Sequence, residues 1–318
     1  MVCLLIYKTK SGLGQAWQGD SLDLIGSLED NSVDLVVTSP PFALLRKKSY
    51  GNEEQGVYTD WLAQFASMLL PKLKDSGSFV LDLGSSYNKG EPTYSLYQFR
   101  VLLKFCDDLG YKLAQPFYWF NTSALPAPLE WVNKRKVRCK NAVNTVWWFS
   151  KSANPKADVR QVLTPYSERM KKLLKKPDDF YTVGAVRPSG HIMSGSAWTN
   201  NNGGAIPPNL LQISNSESNS QYLRCCKKAG IKGHPARFPI ALPEFFVKFL
   251  TEENDLVVDI FGGSGTTGAA CEKLGRRWMT FELNRDYVAA SAFRFIEDVE
   301  ISKEIYERLL NNDESVII

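Results

Sequence analysis

The most constraining feature of the sequence is a glycine-rich turn near the end of the chain, between an apolar run and a helix-like segment. Residues 255–260 are rich in Val, Leu and Ile, and Phe261-Gly262-Gly263-Ser264-Gly265-Thr266-Thr267-Gly268 follows directly. Glycines allow the backbone to turn tightly and to approach a ligand, and the first amides of the next helix can bind an anionic group. A strand, a turn and a helix in this order are typical of doubly wound α/β sheets.

A carboxylate follows the glycines at the spacing that ribose binding requires. A second apolar run, residues 278–281, ends at Glu282, 19 residues after Gly263. In dinucleotide-binding folds, an acidic residue about 20 positions past the turn accepts hydrogen bonds from ribose hydroxyls. The pattern predicts a cofactor that contains adenosine, without indicating which one.

The place of this unit in the chain predicts a permuted sheet. Only 50 residues follow Gly268 and residues 285–310 look helical, so the other strands must come from upstream. Runs rich in β-branched and aromatic residues predict these strands at 33–38, 78–83, 116–120 and 145–149, with helical spacing at 58–73 and 96–109. We therefore expect an α/β fold with a largely parallel sheet, circularly permuted so that the cofactor unit comes last.

Residues 151–231 interrupt this alternation of strands and helices. They combine a basic run at 169–176 with a stretch rich in Ser, Asn, Gly and Pro at 200–220, which is the composition of loops. We interpret them as an irregular insert. The chain then divides into a catalytic half at 1–150, a recognition region at 151–231 and a cofactor-binding half at 232–318.

Positive charge is concentrated around the insert. The net charge is only +4, but residues 151–240 carry 14 Lys and Arg against 5 Asp and Glu. Just before them, Lys134, Arg135, Lys136, Arg138 and Lys140 meet no acidic residue up to Ser150. Such a surface attracts phosphate backbones, although a solvated charged face would have the same composition.

A second motif follows the first predicted strand. Thr38-Ser39-Pro40-Pro41-Phe42 ends that strand with two prolines, which fix a rigid turn at the sheet edge where α/β folds bind ligands. The Ser39 hydroxyl and the Pro40 carbonyl could accept hydrogen bonds from an exocyclic amino group, with Phe42 stacked on the base. Alone, the motif also fits an ordinary turn.

Cysteine and histidine content argues against a metal centre. The six cysteines show no zinc-ligand spacing, and the chain has only two histidines, His191 and His234. No apolar run is long enough to span a bilayer, and the first residues do not resemble a signal peptide. We expect a soluble, cytoplasmic protein with reduced thiols and no metal, although these counts leave a site made of carboxylates alone open.

The two motifs together resemble a known family. Thr38-Ser39-Pro40-Pro41-Phe42 and the segment from Asp259 to Thr267 are similar to the catalytic and cofactor motifs of exocyclic-amino DNA methyltransferases in the permuted order called β. Gly19-Asp20-Ser21 and His234-Pro235-Ala236-Arg237-Phe238-Pro239 also fit this family. The resemblance covers nearly the whole chain. It implies a circularly permuted, Rossmann-like S-adenosylmethionine-dependent methyltransferase fold with an inserted DNA-recognition region.

The resemblance also implies roles for individual residues. The pocket for the target base would be formed by Ser39, Pro40, Pro41 and Phe42. The cofactor-binding residues would be Asp20 at the adenine amino group, Glu282 at the ribose, and Asp259, Phe261 and Gly262 at the methionine end. Gly263 would also bind the cofactor. Serine at the first position of the catalytic motif favours cytosine in this family, and segments at 135–136, 144–150, 187–191 and 206–219 are similar to N4-cytosine enzymes.

The implied reaction is transfer of a methyl group from S-adenosylmethionine to N4 of a cytosine flipped out of duplex DNA. The implied setting is a restriction-modification system, with CAGCTG as the first candidate site. The predicted DNA-binding residues are Lys134, Arg135 and Lys136 in the basic segment, and Arg46, Lys47 and Lys48 just beyond the catalytic turn. The latter three could contact the flipped strand, and a solvated loop would have the same composition. A monomer without an obligate protein partner or a membrane suits such an enzyme.

Three other functions remain open at this point. An N6-adenine DNA methyltransferase or an RNA amino methyltransferase would share the fold and differ in the pocket. An NAD-dependent oxidoreductase would explain the glycines but predicts more strands after them and gives Ser39 no role. A non-catalytic DNA-binding protein would explain only the charge.

Overall fold

The computed structural model describes residues 3–43, 53–175, 200–216, 220–311 and 315–318. In this part of the chain, strands of one sheet are β1 (Leu4–Lys8), β2 (Gly14–Gln18), β3 (Val33–Thr38), β4 (Leu73–Leu83), β5 (Lys112–Phe120), β6 (Val143–Ser150), β7 (Leu210–Gln212), β8 (Leu256–Asp259), β9 (Arg277–Glu282) and β10 (Val316–Ile317). The helices are α1 (Ser21–Gly26), α2 (Gln55–Lys72), α3 (Tyr97–Leu103), α4 (Glu168–Lys175), α5 (Gln221–Ala229), α6 (Ala241–Leu250), α7 (Thr266–Lys273), α8 (Arg285–Ser291) and α9 (Ser302–Asn311).

The sheet is mixed, with a parallel centre. Its order is β10-β1-β2-β9-β8-β3-β4-β6-β5-β7, and the five strands from β2 to β4 in this order are parallel. β6 runs antiparallel to both of its neighbours, and β1 runs antiparallel to β2. The expected α/β fold is confirmed, and each of the expected strands lies in the sheet.

Central position explains the composition of the strands. All six residues of β3 are buried because helices cover both faces of a parallel sheet, so the strand has no polar face. On one side, α2 and α3 bury an aromatic cluster that includes Phe79, Phe105, Tyr111 and Phe149. The region expected to be helical at 285–310 is two helices, α8 and α9, because a 3-10 turn at Ala292–Arg294 and irregular residues separate them.

The glycine turn comes late in the chain, but the strand that precedes it, β8, lies in the middle of the sheet between β9 and β3. The strand that precedes the glycine turn therefore pairs directly with the strand that precedes Ser39. Because both strands run in the same direction, both motifs emerge at the same edge of the sheet.

The chain separates into two compact units, residues 1–157 with 209–318, and residues 158–208. Within the smaller unit, Thr164 and Ala205 exchange backbone hydrogen bonds of 2.9 and 2.8 Å, and α4 buries Leu173. β7 and α5 belong to the larger unit, although they fall in the interval 151–231. The assignment of roles to 1–150, 151–231 and 232–318 stays a prediction. No helix in the described ranges has the length and apolar character needed to cross a membrane.

A buried carboxylate joins three strands at the edge of the sheet opposite the two motifs. Asp34, 4% exposed, accepts hydrogen bonds from Lys74 Nζ at 2.8 and 2.9 Å and from the Leu256 amide at 2.9 Å. Lys156 Nζ lies 3.9 Å away. These contacts connect β3 with β4 and β8.

We expect Asp34→Ala to lower the free energy of unfolding by about 3 kcal/mol, because it leaves a lysine and a partly buried amide without their acceptor. Urea denaturation would measure the change. Asp75→Ala is the matched control, since Asp75 also pairs with a lysine but has an 89% exposed side chain. Equal stability of the Asp34→Ala variant and the wild type would contradict this account of the edge.

Candidate active site

A cavity of about 580 Å³ opens where β3, β4, β8 and β9 end. Its lining contains every residue that the sequence predicted for the catalytic and cofactor sites: Asp20, Ser39, Pro40, Pro41, Phe42, Asp259, Phe261, Gly262, Gly263 and Glu282. These residues come from distant parts of the chain and meet because β3 and β8 are neighbours. The predicted residues thus form one site.

The glycine turn is closely packed against β9. A Cβ atom on Gly262 would lie 1.8 Å from Thr280 Oγ1, so only glycine fits there. Gly265, the residue before α7, has a φ of +71°, a conformation that side chains other than glycine rarely adopt. Gly262 therefore brings bare backbone to the wall of the cavity, and Gly265 allows the tight turn from there into α7.

Glu282 is held in a fixed orientation at the end of β9. Its Oε2 accepts a hydrogen bond from the Gly263 amide and its Oε1 from the Asn284 amide, both at 2.9 Å. Burial raises the pKa of this carboxyl, against the opposing effect of the two amides. A carboxylate has about four acceptor positions, so two remain for a pair of hydroxyl groups. Asp20, also in the lining, accepts the Leu22 amide at 2.9 Å through Oδ1 alone.

Asp259 connects the two motifs. Its Oδ1 accepts hydrogen bonds from Thr38 Oγ1 at 2.7 Å and the Phe261 amide at 3.1 Å, and its Oδ2 accepts one from Thr267 Oγ1 at 2.6 Å. The residue is only 2% exposed, and burial raises its pKa. Its main structural effect is to fix the end of β3 relative to the glycine turn.

Ser39 belongs to a hydrogen-bonded chain that crosses three strands. Ser39 Oγ donates to Asp82 Oδ2 at 3.0 Å, and Asn144 Nδ2 donates to Asp82 Oδ1 at 3.0 Å. Asp82 lies on β4 and is 4% exposed. Burial raises its pKa to about 7, although the hydrogen bonds from Asn144 and Ser39 lower it.

Asp82 and Asn144 are site residues that were not predicted from the sequence. The available signal for Asp82 was a charged residue inside the otherwise apolar run 78–83, one position before that run ends. A charged group in a buried strand costs free energy unless it is paired or functional. Asn144 begins the segment 144–150 that resembles N4-cytosine enzymes, but its contact with Asp82 depends on the pairing of β6 with β4, which is visible only in the fold.

The Phe42 ring packs closely against Gly84. A Cβ atom at position 84 would come within 2.3 Å of the Phe42 ring, so glycine there sets the ring's position. The other side of the cavity is also aromatic, because Trp61 and Phe65 pack on Phe261 with ring centroids 5.7 and 5.0 Å apart. The cavity lining therefore combines hydrogen-bonding side chains with aromatic rings.

The predicted basic residues differ in their surroundings. Lys134 and Arg135 pair with Glu130 at 3.2 and 3.0 Å, so a local acid offsets part of their charge. Lys136 is exposed, with a φ of +56° and no ion pair to another described residue. Arg46, Lys47 and Lys48 lie outside the described residues.

Arg138 has aromatic partners. Its guanidinium stacks on Tyr87 and Tyr94, at 4.8 and 4.3 Å from the ring centroids. Tyr94 donates to Asn141 Oδ1 at 2.6 Å, and Asn141 Nδ2 donates to Ser85 Oγ at 3.0 Å. Because Ser85 and Asn141 line the cavity, this stack supports its rim.

Comparison with known proteins assigns the chain to a family. A family model described as DNA methylase matches residues 33–293. The type II methyltransferase M.PvuII of Proteus hauseri is 59% identical over 94% of this chain and 90% of its own length. The solved structure named PvuII DNA methyltransferase (cytosine-N4-specific) superposes with a TM-score of 0.80 at 50% identity, covering 99% of this chain and 97% of that one.

A more distant structure supports the fold alone. TTHA0409 of Thermus thermophilus, named a putative DNA modification methylase and solved with S-adenosyl-L-methionine, has a TM-score of 0.52 at 17% identity. It covers 95% of this chain and 98% of its own. The family model and the 59% identical relative show that the chain belongs to the DNA methylase family.

Proposed function

We propose that this protein transfers the methyl group of S-adenosylmethionine to the N4 amino group of a cytosine in double-stranded DNA. The observation that carries the proposal is the chain of hydrogen bonds from Ser39 through Asp82 to Asn144, in the same cavity as the glycine turn. The similarity to a structure named cytosine-N4-specific supports the choice of base.

The residues around the glycine turn fit S-adenosylmethionine. Backbone approaches the cavity at Gly262 and Gly263, the fixed Glu282 carboxylate can accept the two ribose hydroxyls, and the free Oδ2 of Asp20 can accept the adenine amino group. When bound, this cofactor supplies an electrophilic methyl group on a sulfonium. The adjacent motif, which begins at Ser39, would position the group that accepts this methyl group.

Ser39 and Pro40 orient the target nitrogen. Because Ser39 Oγ gives its own hydrogen to Asp82, its lone pairs are free to accept an N–H of the cytosine, while the Pro40 carbonyl accepts the other. This holds the nitrogen in line with the methyl group. The proton that the nitrogen loses on methylation passes through Ser39 Oγ to the Asp82 carboxylate, and burial of Asp82 brings its proton affinity close to neutral pH.

The base enters the cavity from the duplex by flipping. Phe42 stacks on its plane, and Gly84 keeps that ring in place. Extrusion costs a few kcal/mol, which phosphate contacts offset. Among the described basic candidates, Lys136 is the one whose charge no described acid offsets, so it is the first candidate for a phosphate contact. Lys134 and Arg135 remain candidates because their side chains are exposed. Arg46, Lys47 and Lys48 keep their predicted role.

The wider setting follows from the substrate. The similarity to a type II methyltransferase supports a role as the modification enzyme of a restriction-modification system, with CAGCTG as the candidate site. We propose a location in the bacterial cytoplasm, where such an enzyme would meet its DNA substrate. Action on one flipped base at a time requires one active site, which is consistent with a monomer.

The test is mass spectrometry of nucleosides from duplex DNA incubated with the protein and methyl-labelled S-adenosylmethionine. We expect labelled N4-methylcytosine. Labelled N6-methyladenine would retain the fold and overturn the choice of base. Labelling of RNA alone, or no transfer despite cofactor binding, would overturn the proposed substrate.

A further inference from the structure

A braced loop carries an exposed leucine at the rim of the active-site cavity. The loop comprises residues 121–129, the first part of the connection from β5 to β6. Its residues Asn121 and Ala124 line the cavity. Leu125 comes next, and at 80% exposure it is the most exposed large apolar side chain among the described residues. Its position beside the pocket sets it apart from the scattered apolar residues found on every protein surface.

Hydrogen bonds hold the backbone on both sides of Leu125. Lys140 Nζ donates to the Ala124 carbonyl at 2.8 Å, Asn133 Nδ2 donates to the Pro126 carbonyl at 3.2 Å, and the Asn141 amide donates to the Ala127 carbonyl at 3.0 Å. The leucine is therefore presented to solvent on a fixed backbone. A side chain that must push against another molecule requires this support.

The segment that carries Leu125 has a net positive charge, of which Glu130 offsets part through its pairs with Lys134 and Arg135. Between residues 121 and 143 the chain has five basic residues and one acidic residue, Glu130. Lys134, Lys136 and Lys140 are all exposed. Positive charge around a single apolar side chain is complementary to a polyanion with a stacked interior, and duplex DNA has both features.

We propose that Leu125 is a wedge that enters the base stack beside the target cytosine and fills the space that the flipped base leaves. This rests on the proposed function, because it requires a base to leave the duplex. Apolar side chains that enter base steps offset the lost stacking with their own burial. The role of Leu125 is thus to stabilise the flipped state, while the pocket residues act on the base itself.

The experiment compares Leu125→Ser with the wild type on two duplexes. One is fully paired, and the other lacks the base opposite the target cytosine, so that flipping breaks no base pair. On the paired duplex we expect kcat/KM of the variant to fall by about 30-fold. On the second duplex we expect the variant to come within about threefold of the wild type, because less flipping energy is needed.

Two further variants test the chemistry of the side chain. Leu125→Met is expected to keep near wild-type activity on both duplexes, since methionine has a similar apolar volume. Leu103→Ser is the matched control, because Leu103 is 57% exposed on α3 and outside the cavity lining. It should leave both rates unchanged.

The outcomes separate the wedge from the proposed function. Equal rates for Leu125→Ser and the wild type on the paired duplex overturn the wedge, and so does an equal loss on both duplexes. Dimerisation of the wild type that Leu125→Ser abolishes, with unchanged rates, would show that a second copy covers this leucine and would also overturn the wedge. If the wild type forms no N4-methylcytosine on either duplex, the proposed function fails and the wedge fails with it.

Discussion

Replacing Asp82 with Asn is expected to lower kcat for methyl transfer by roughly 100- to 1000-fold, with cofactor binding retained. An asparagine amide would donate to Ser39 Oγ and reverse the hydrogen bond that now leaves the serine lone pairs free for the target amine. The variant would also lack the acceptor for the proton that the nitrogen loses. Single-turnover methylation at saturating DNA and cofactor measures the effect, and titration calorimetry measures cofactor affinity.

The same change should stabilise the fold in mildly alkaline solution. Burial raises the pKa of Asp82 from 3.8 to about 7, so between these values the folded state binds more protons than the unfolded state. Stability therefore decreases as the pH rises through this window, by about 4 kcal/mol at most. An asparagine side chain carries no charge, so Asp82→Asn should unfold at a higher urea concentration than the wild type at pH 8, by a margin that shrinks at pH 5.

A pH profile gives the matching result for the wild type. If the ionised carboxylate accepts the proton, kcat should fall as the pH is lowered through about 7. The buried tyrosines near Asp82, Tyr58 and Tyr97, do not titrate here, because burial raises both of their pKa values well above neutral. Asp75→Asn, on an exposed residue, controls for a simple loss of charge. An Asp82→Asn variant with wild-type kcat, or one that is inactive because it is unfolded, would contradict this mechanism.

Local signals in the sequence were sufficient to predict the central fold. The glycine turn, the apolar strand before it and Glu282 lie close together in the chain, so their geometry is set by short-range rules that the sequence displays. The same holds for Ser39-Pro40-Pro41-Phe42, where two prolines determine the backbone. The resemblance to a family then gave the two motifs roles in one reaction, and in the structure both line one cavity.

The contacts between strands could not be predicted in the same way. Asp82 meets Ser39 because β4 pairs with β3, and it meets Asn144 because β6 pairs with β4. Both pairings depend on register, and no local pattern gives register for a strand that is buried on both faces. The ion pairs of Lys134 and Arg135 with Glu130 were hidden for another reason, since counting charge does not show which charges neutralise each other.

The second large effect is expected at the cofactor end of the cavity. Glu282→Ala should weaken binding of S-adenosylmethionine by about 100-fold, because each hydrogen bond from a ribose hydroxyl to a charged acceptor contributes about 1.5 kcal/mol or more. The Gly263 amide would also lose its acceptor, which loosens the turn. Because burial raises the pKa of Glu282, affinity in the wild type should decrease as the pH falls and the carboxyl becomes protonated.

Titration calorimetry with S-adenosylhomocysteine measures this effect without turnover. An analogue that lacks one ribose hydroxyl should bind the wild type more weakly than the parent compound, and it should bind Glu282→Ala as well as the parent does, since the partner of that hydroxyl is gone. Glu253→Ala, on an exposed glutamate outside the cavity lining, should bind both compounds like the wild type. If Glu282→Ala still discriminates fully between the two compounds, another residue holds the ribose, and the orientation that the two backbone amides impose on Glu282 serves the turn rather than the cofactor.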